Sequence, residues 1–251
     1  MYGRGYGSSG FGPAFTPPIV LRLLIANIAV FLAQVLLPGV EVGALSPIHL
    51  WRDGYLWQPF TYMWLHGGLG HLLMNMFVLW MFGSQLAMTW GPRRFLRYYL
   101  ICGVGAGFII ATVPFLLVGL HLAPEYILGI PTVGASGAIY GVLLAYSLTW
   151  PDRTIMLIFP PVAFRAIWLI PLLFFMSVLF PGAGNVSHVG HLGGVVVGWL
   201  YLRSQGDTDG KLLSWDQLKY KVRRWRMRRK LRAVQYEEWE NRRREHDRRY
   251  H

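Results

Sequence analysis

Pro131-Thr132-Val133-Gly134-Ala135-Ser136-Gly137-Ala138-Ile139-Tyr140-Gly141 sets one hydroxyl among small residues, at the mouth of an apolar run that reaches Trp150. With Gly134, Ala135 and Gly137 around it, the Ser136 oxygen leaves room for an approaching group. Gly137 and Gly141 stand four residues apart, which nearly bares one helix face and lets a second helix pack closely. Read alone, Ser136 is a small packing residue in a membrane helix. Two other stretches change that reading: Gly190-His191-Leu192-Gly193-Gly194-Val195-Val196-Val197-Gly198 and His71-Leu72-Leu73-Met74-Asn75.

The composition that surrounds them is 54% hydrophobic and 14% charged, with a mean hydropathy of +0.36. Such a chain is a membrane protein rather than a soluble one. The single cysteine, Cys102, has no second thiol with which to form an intrachain disulfide. Net charge is +12, and residues 204–251 carry 15 of the 24 Lys and Arg and 8 of the 12 acids. Residues 1–18 are rich in Gly, Pro and aromatics, no small-x-small cleavage site closes the apolar run that follows, and the stretch reads as a flexible cytoplasmic leader.

Six spans are expected. They are Ile19–Leu37 (with Arg22 near its start), Gly70–Ala87, Phe95–Leu120 (with Gly103, Gly105 and Gly107), the short Ser136–Trp150, Val162–Phe180 and His188–Leu202. Between the first two lies a long connection, residues 38–65, whose prolines, glycines and aromatic residues suit the interfacial region. Residues 154–161, apolar but ending in Pro160-Pro161, read as a re-entrant or interfacial piece. Lys and Arg concentrate in 88–97, 151–165 and the tail, whereas 38–65, 121–133 and 181–187 hold only Arg52. The positive-inside rule then puts both termini in the cytoplasm. Spans two, four and six all start on the outer side, so His71, Ser136 and His191 share one depth just below that surface. In the tail, Leu218, Val222 and Trp225 fall at helical spacing among basic residues, so an amphipathic helix on anionic cytoplasmic lipid is one reading and a solvated tail the other.

A serine hydroxyl needs a base to become a nucleophile, and imidazole, with an unperturbed pKa of about 6.5, is the usual one. His191 is the candidate. Gly190, Gly194 and Gly198 give its helix a small face matching Gly137 and Gly141, and Tyr140, one turn below Ser136, is positioned to pack on the imidazole. His71 and Asn75 are spaced i, i+4 and share a helix face. Their N–H groups, with the Ser136 backbone N–H, could stabilise the oxyanion of a tetrahedral intermediate. Taken singly, Asn75 reads as a helix–helix hydrogen bond and His71 as an interfacial histidine. Polar groups at a common depth in an apolar protein are, jointly, a functional site. The acids of this region are Glu41, Asp53, Glu125 and Asp152, none at the right depth to complete a triad, so a Ser-His dyad is inferred. The G-x-S-x-G elbow is missed by one residue, which excludes an α/β-hydrolase.

The chain resembles the rhomboid intramembrane serine proteases. The resemblance rests on His66-Gly67-Gly68-Leu69-Gly70-His71-Leu72-Leu73-Met74-Asn75-Met76, Gly134-Ala135-Ser136-Gly137-Ala138-Ile139-Tyr140-Gly141 and His191-Leu192-Gly193-Gly194, in family order on spans two, four and six. It implies an all-α six-transmembrane-helix bundle over residues 19–203, with 38–65 as a membrane-embedded first loop and a basic cytoplasmic tail at 204–251. It implies Ser136 as nucleophile, His191 as general base, and His71 and Asn75 as oxyanion groups. Tyr140 would stack on His191, Gly134 would shape the substrate site, and His66 would be structural. The fifth helix would be a lateral gate. Substrates would be transmembrane helices cut near their extracytoplasmic end, at small residues followed by helix-destabilising ones. Two departures bear on the anchoring of the first loop and on rate: Trp57-Gln58 where many members carry Trp-Arg, and Ala87 where many carry glutamate four residues before the glycine.

The expected setting is a bacterial cell (inner) membrane, with the site facing the extracytoplasmic side. Expected partners are transmembrane substrates and membrane lipids; no nucleic acid, cofactor or metal is expected. His66, His71, His188 and His191 could converge on zinc, but no HExxH, Cys cluster or nearby carboxylate accompanies them. A client-binding relative without activity would usually lack the serine or histidine kept here. A transporter would carry charge near the midplane.

Overall fold

The computed structural model describes residues 12–156, 162–179 and 188–205, together with Arg223, Met227 and Trp239. The chain divides into two units, Met1–Thr208 and Asp209–His251. The expected tail helix around Leu218, Val222 and Trp225, the loop 181–187 and the first part of the leader lie outside the described residues.

The first unit is mostly helical. Helix α1 spans Pro18–Leu36, with proline in its first turn, where no N–H is needed. Short helices α2 (Pro47–Trp51) and α3 (Gln58–Thr61) follow, and a 3-10 turn at Tyr62–Trp64 leads to α4, Leu69–Val78. A π turn, Leu79–Gly83, joins α4 to α5, Ser84–Trp90. Gly91, at φ 80°, ends α5 and caps α6, Pro92–Gly119. Helices α7 (Ser136–Thr149), α8 (Leu169–Leu179) and α9 (His188–Ser204) complete the unit.

Among the described residues, three helices are long and apolar enough to cross a membrane: α1, the continuous α4–α5 run Leu69–Trp90, and α6. Helices α7, α8 and α9 have 14, 11 and 17 residues. At about 1.5 Å per residue these described lengths fall short of a full hydrocarbon thickness of about 30 Å. The expected piece at 154–161 is different where it is described. Thr154–Met156 is a strand, β1, paired antiparallel with β2, Ala163–Arg165. The first residues expected for the fifth span therefore belong to a hairpin, and α8 starts only at Leu169. The β-branched Thr154 and Ile155 suit a strand.

Glycines set the packing of α6, α7 and α9. A Cβ on Gly194 would drive into the Gly137 carbonyl, and one on Gly198 would meet the Tyr98 hydroxyl at 2.5 Å and the Gly141 Cα at 3.3 Å. On α6 the three glycines separate by neighbour. Gly105 faces Val197 of α9, whereas Gly103 and Gly107 admit Met63 and Pro59 of the first loop. The loop is held by named bonds. Tyr62 Oη donates to the Gly103 carbonyl at 2.7 Å, and Thr61 Oγ1 to the Gly43 carbonyl at 2.8 Å. Gln58, 1% exposed, accepts from the Ser46 N–H and donates to the Val42 carbonyl, each at 3.1 Å. A neutral carboxamide, the Trp57-Gln58 departure noted in the sequence, thus ties the loop.

Candidate active site

The segment that delivers Ser136 is pinned to the first loop. Leu45 and Thr132 exchange both backbone bonds, at 3.0 and 2.8 Å, and the Gly134 N–H donates to the Tyr62 carbonyl at 2.9 Å. These bonds hold Gly134 at φ +125°, a conformation that L side chains rarely adopt. Ala135 caps α7 and Ser136 is its first residue. The Ser136 backbone N–H therefore has no intrahelical acceptor.

Gly134 lies directly against α4. A Cβ there would stand 2.7 Å from His71 Cε1, 2.8 Å from His71 Nε2 and 3.6 Å from Asn75 Nδ2. Only hydrogen fits, and its absence of side chain keeps open the space beside Ser136. Asn75 is 6% exposed. Its Nδ2 finds no hydrogen-bond acceptor among the described residues. A buried amide donor without an acceptor costs about 1–3 kcal/mol. His71 is exposed, and its Nδ1 accepts from the Gly67 N–H at 3.4 Å.

His191 stands in the first turn of α9. Its ring lies on that of Tyr140, with centroids 4.0 Å apart and planes 11° from parallel. Phe174 of α8 meets Tyr140 edge-on at 5.7 Å. The α7–α9 seam begins beside the two candidate catalytic residues: the Cβ position of Gly137 is 3.4 Å from the Gly190 carbonyl. Gly137 follows Ser136 and Gly190 precedes His191, so this contact between the two helices flanks serine and histidine. Both are half-buried.

His66 is 1% exposed and meets His71 edge-on, with centroids 5.2 Å apart. Burial, and then the charge of His71, holds its imidazole down to about 4, so it is neutral near pH 7. Two residues of this region were not singled out from the sequence. Gln34 of α1 bonds to both backbone groups of His66, and Tyr62 holds Gly134. The signal for Gln34 was present, as an amide inside an otherwise apolar run.

The family model described as Rhomboid domain matches residues 53–204, more than half of the chain. The chain belongs to the rhomboid family. His71, Asn75, Gly134, Ser136, Tyr140 and His191 of this rhomboid all lie within the matched residues. It is 34% identical over 142 residues to Rhomboid protein 1, mitochondrial, of Saccharomyces cerevisiae, covering 54% of this chain and 38% of that protein. It is 32% identical over 163 residues to the human Presenilin-associated rhomboid-like protein, mitochondrial, covering 64% of this chain and 39% of the relative. A third relative, Rhomboid-like protein 16, chloroplastic, of Arabidopsis thaliana, is 28% identical over 193 residues, covering 71% and 59%. The rhomboid thus spans about two fifths of the length of the first two relatives. The expected bacterial inner membrane is corrected by this comparison, since these relatives are named for mitochondria and chloroplasts. Charge counting reads the two sides of a membrane and carries no information on which membrane it is.

Proposed function

We propose that this rhomboid is an intramembrane serine endopeptidase that cuts transmembrane helices of other proteins with a Ser136–His191 dyad. The observation that carries the reading is the buried Asn75 amide, a donor with no acceptor among the described residues, 3.6 Å from the Cβ position of Gly134 and so beside Ser136. His191 takes the Ser136 proton as Oγ attacks the scissile carbonyl. The oxygen that becomes negative is met by Asn75 Nδ2, the His71 ring N–H and the Ser136 backbone N–H. His191 then returns the proton to the departing amine, and activates the water that releases the acyl group. A substrate must unwind to present a carbonyl, because in a helix its oxygen already accepts a backbone bond and is shielded. Segments with helix-destabilising residues next to small ones are therefore the proposed targets.

The proposed architecture has six crossings: α1, α4–α5, α6, α7, α8 and α9. The shorter three would be accommodated by their packing inside the bundle and by local thinning of the bilayer. Residues 19–203 form the protease domain, 1–18 a leader, and 204–251 a basic tail attracted by anionic lipid. The cut lies near the membrane face at which α4, α7 and α9 begin, opposite the Gly91-Pro92-Arg93-Arg94 end.

Purified protein is tested on a reporter transmembrane helix, wild type against Ser136→Ala and His191→Ala. Cleavage is expected only from the wild type, with all three proteins folded. Cleavage that survives Ser136→Ala would overturn the mechanism.

A further inference from the structure

Gln34 sits near the C-terminal end of α1, 32 residues before His66 in the chain. Its carboxamide bonds to one residue twice. Nε2 donates to the His66 carbonyl at 2.9 Å, and Oε1 accepts from the His66 N–H at 3.0 Å. A side chain that occupies both backbone groups of a residue holds it as a neighbouring strand would. His66 belongs to the turn that enters α4, where a backbone free of regular hydrogen bonds would otherwise be mobile.

The next N–H along, that of Gly67, donates to Nδ1 of His71. In a neutral imidazole one nitrogen carries the proton and the other accepts. With Nδ1 accepting from Gly67, the proton is on Nε2. Nε2 also belongs to the ring edge turned toward Gly134, 2.8 Å from its Cβ position beside Cε1 at 2.7 Å. The Gly67 amide therefore decides whether His71 offers a donor or a lone pair to the space beside Ser136. A lone pair there would repel the oxyanion. The His66 ring, edge-on at 5.2 Å, packs against the same imidazole.

We propose that Gln34 is a positioning residue. By clamping His66 it aims the Gly67 N–H at His71 Nδ1, and so keeps His71 in the Nε2–H form that faces the reacting oxygen. The proposal rests on the oxyanion role of His71 stated above. Unlike that role, it has a readout independent of catalysis.

The test uses the full chain in detergent or bilayer, with 15N-labelled histidine, comparing wild type, Gln34→Met and Gln34→Asn. The ring nitrogens of His71, assigned by loss of their signals in His71→Ala, are expected to report the Nε2–H tautomer in wild type and a mixture in both Gln34 variants. Reporter cleavage by Gln34→Met is expected to fall on the order of tenfold in kcat with KM within about twofold, less than the 10²–10³ lost with a whole oxyanion donor. In a His71→Ala background the same substitution is expected to have no further effect. An Nδ1–H tautomer in the wild type overturns the proposal, whether or not the variants fold. So does an unchanged tautomer in folded Gln34 variants, or a loss of equal size with His71 absent. A wild type that cleaves nothing yet shows the tautomer shift would instead defeat the protease reading and leave the positioning intact.

Discussion

The His191 imidazole lies flat on the Tyr140 ring, with centroids 4.0 Å apart and planes 11° from parallel. A stacked ring limits rotation of the imidazole and removes one face from competing partners. Such contacts are worth about 0.5–1.5 kcal/mol beyond their burial. Tyr140→Leu is therefore expected to lower kcat about two- to tenfold, while Tyr140→Phe, which keeps the ring, stays near wild type. Equal losses in both variants would show that the hydroxyl, not the stack, matters.

Asn75 separates activity from stability. Its Nδ2 is buried without an acceptor among the described residues. Asn75→Leu removes that unpaired donor at similar volume. The melting temperature is expected to hold or rise, while kcat falls by about 10²–10³ with little change in KM. A variant that loses stability together with activity would assign Asn75 a helix-packing role.

Gln58 is predicted to anchor the first loop. It bonds to the Ser46 N–H and the Val42 carbonyl, and the neighbouring Leu45 pairs with Thr132, two residues before Gly134. Gln58→Leu leaves two backbone groups unpaired, at about 1–3 kcal/mol each if they remain buried. A lower melting temperature and faster proteolysis between residues 38 and 57 are expected. Unchanged proteolysis would show that Tyr62 and Thr61 suffice.

His66 gives a pH dependence with a defined sign. Burial, and then the His71 charge, holds its imidazole down to about 4, below the ordinary 6.5. Between those values the unfolded chain binds a proton that the folded protein does not. Stability therefore falls as pH drops from about 6.5 to about 4, and this contribution is flat outside that window. In His66→Gln the acid-side decline of the unfolding midpoint should shrink over the same window. An identical decline would place its origin in other groups.

Much of the site was legible because its residues are small or polar against an apolar background. Ser136, Gly137 and Gly141 announce a close helix contact, and Gly190, Gly194 and Gly198 announce its partner. His71 and Asn75 share a face by spacing alone. What escaped depends on contacts between distant segments. The π turn at Leu79–Gly83 lies in an unbroken apolar run with no proline to mark it. Gln58 could be seen as a departure, but its two bonds come from residues 12 and 16 positions earlier. Thr154–Met156 reads from its apolar sequence as part of a re-entrant or interfacial piece, and only its pairing with Ala163–Arg165 makes it a strand.

The most direct test is covalent. A fluorophosphonate, which reacts preferentially with an activated serine hydroxyl, is applied to the folded protein and the labelled residue is mapped by mass spectrometry. Labelling is expected at Ser136, to be absent in Ser136→Ala, and to slow by at least about a hundredfold in His191→Ala. Label on another residue, or undiminished labelling of Ser136 without His191, would contradict the dyad.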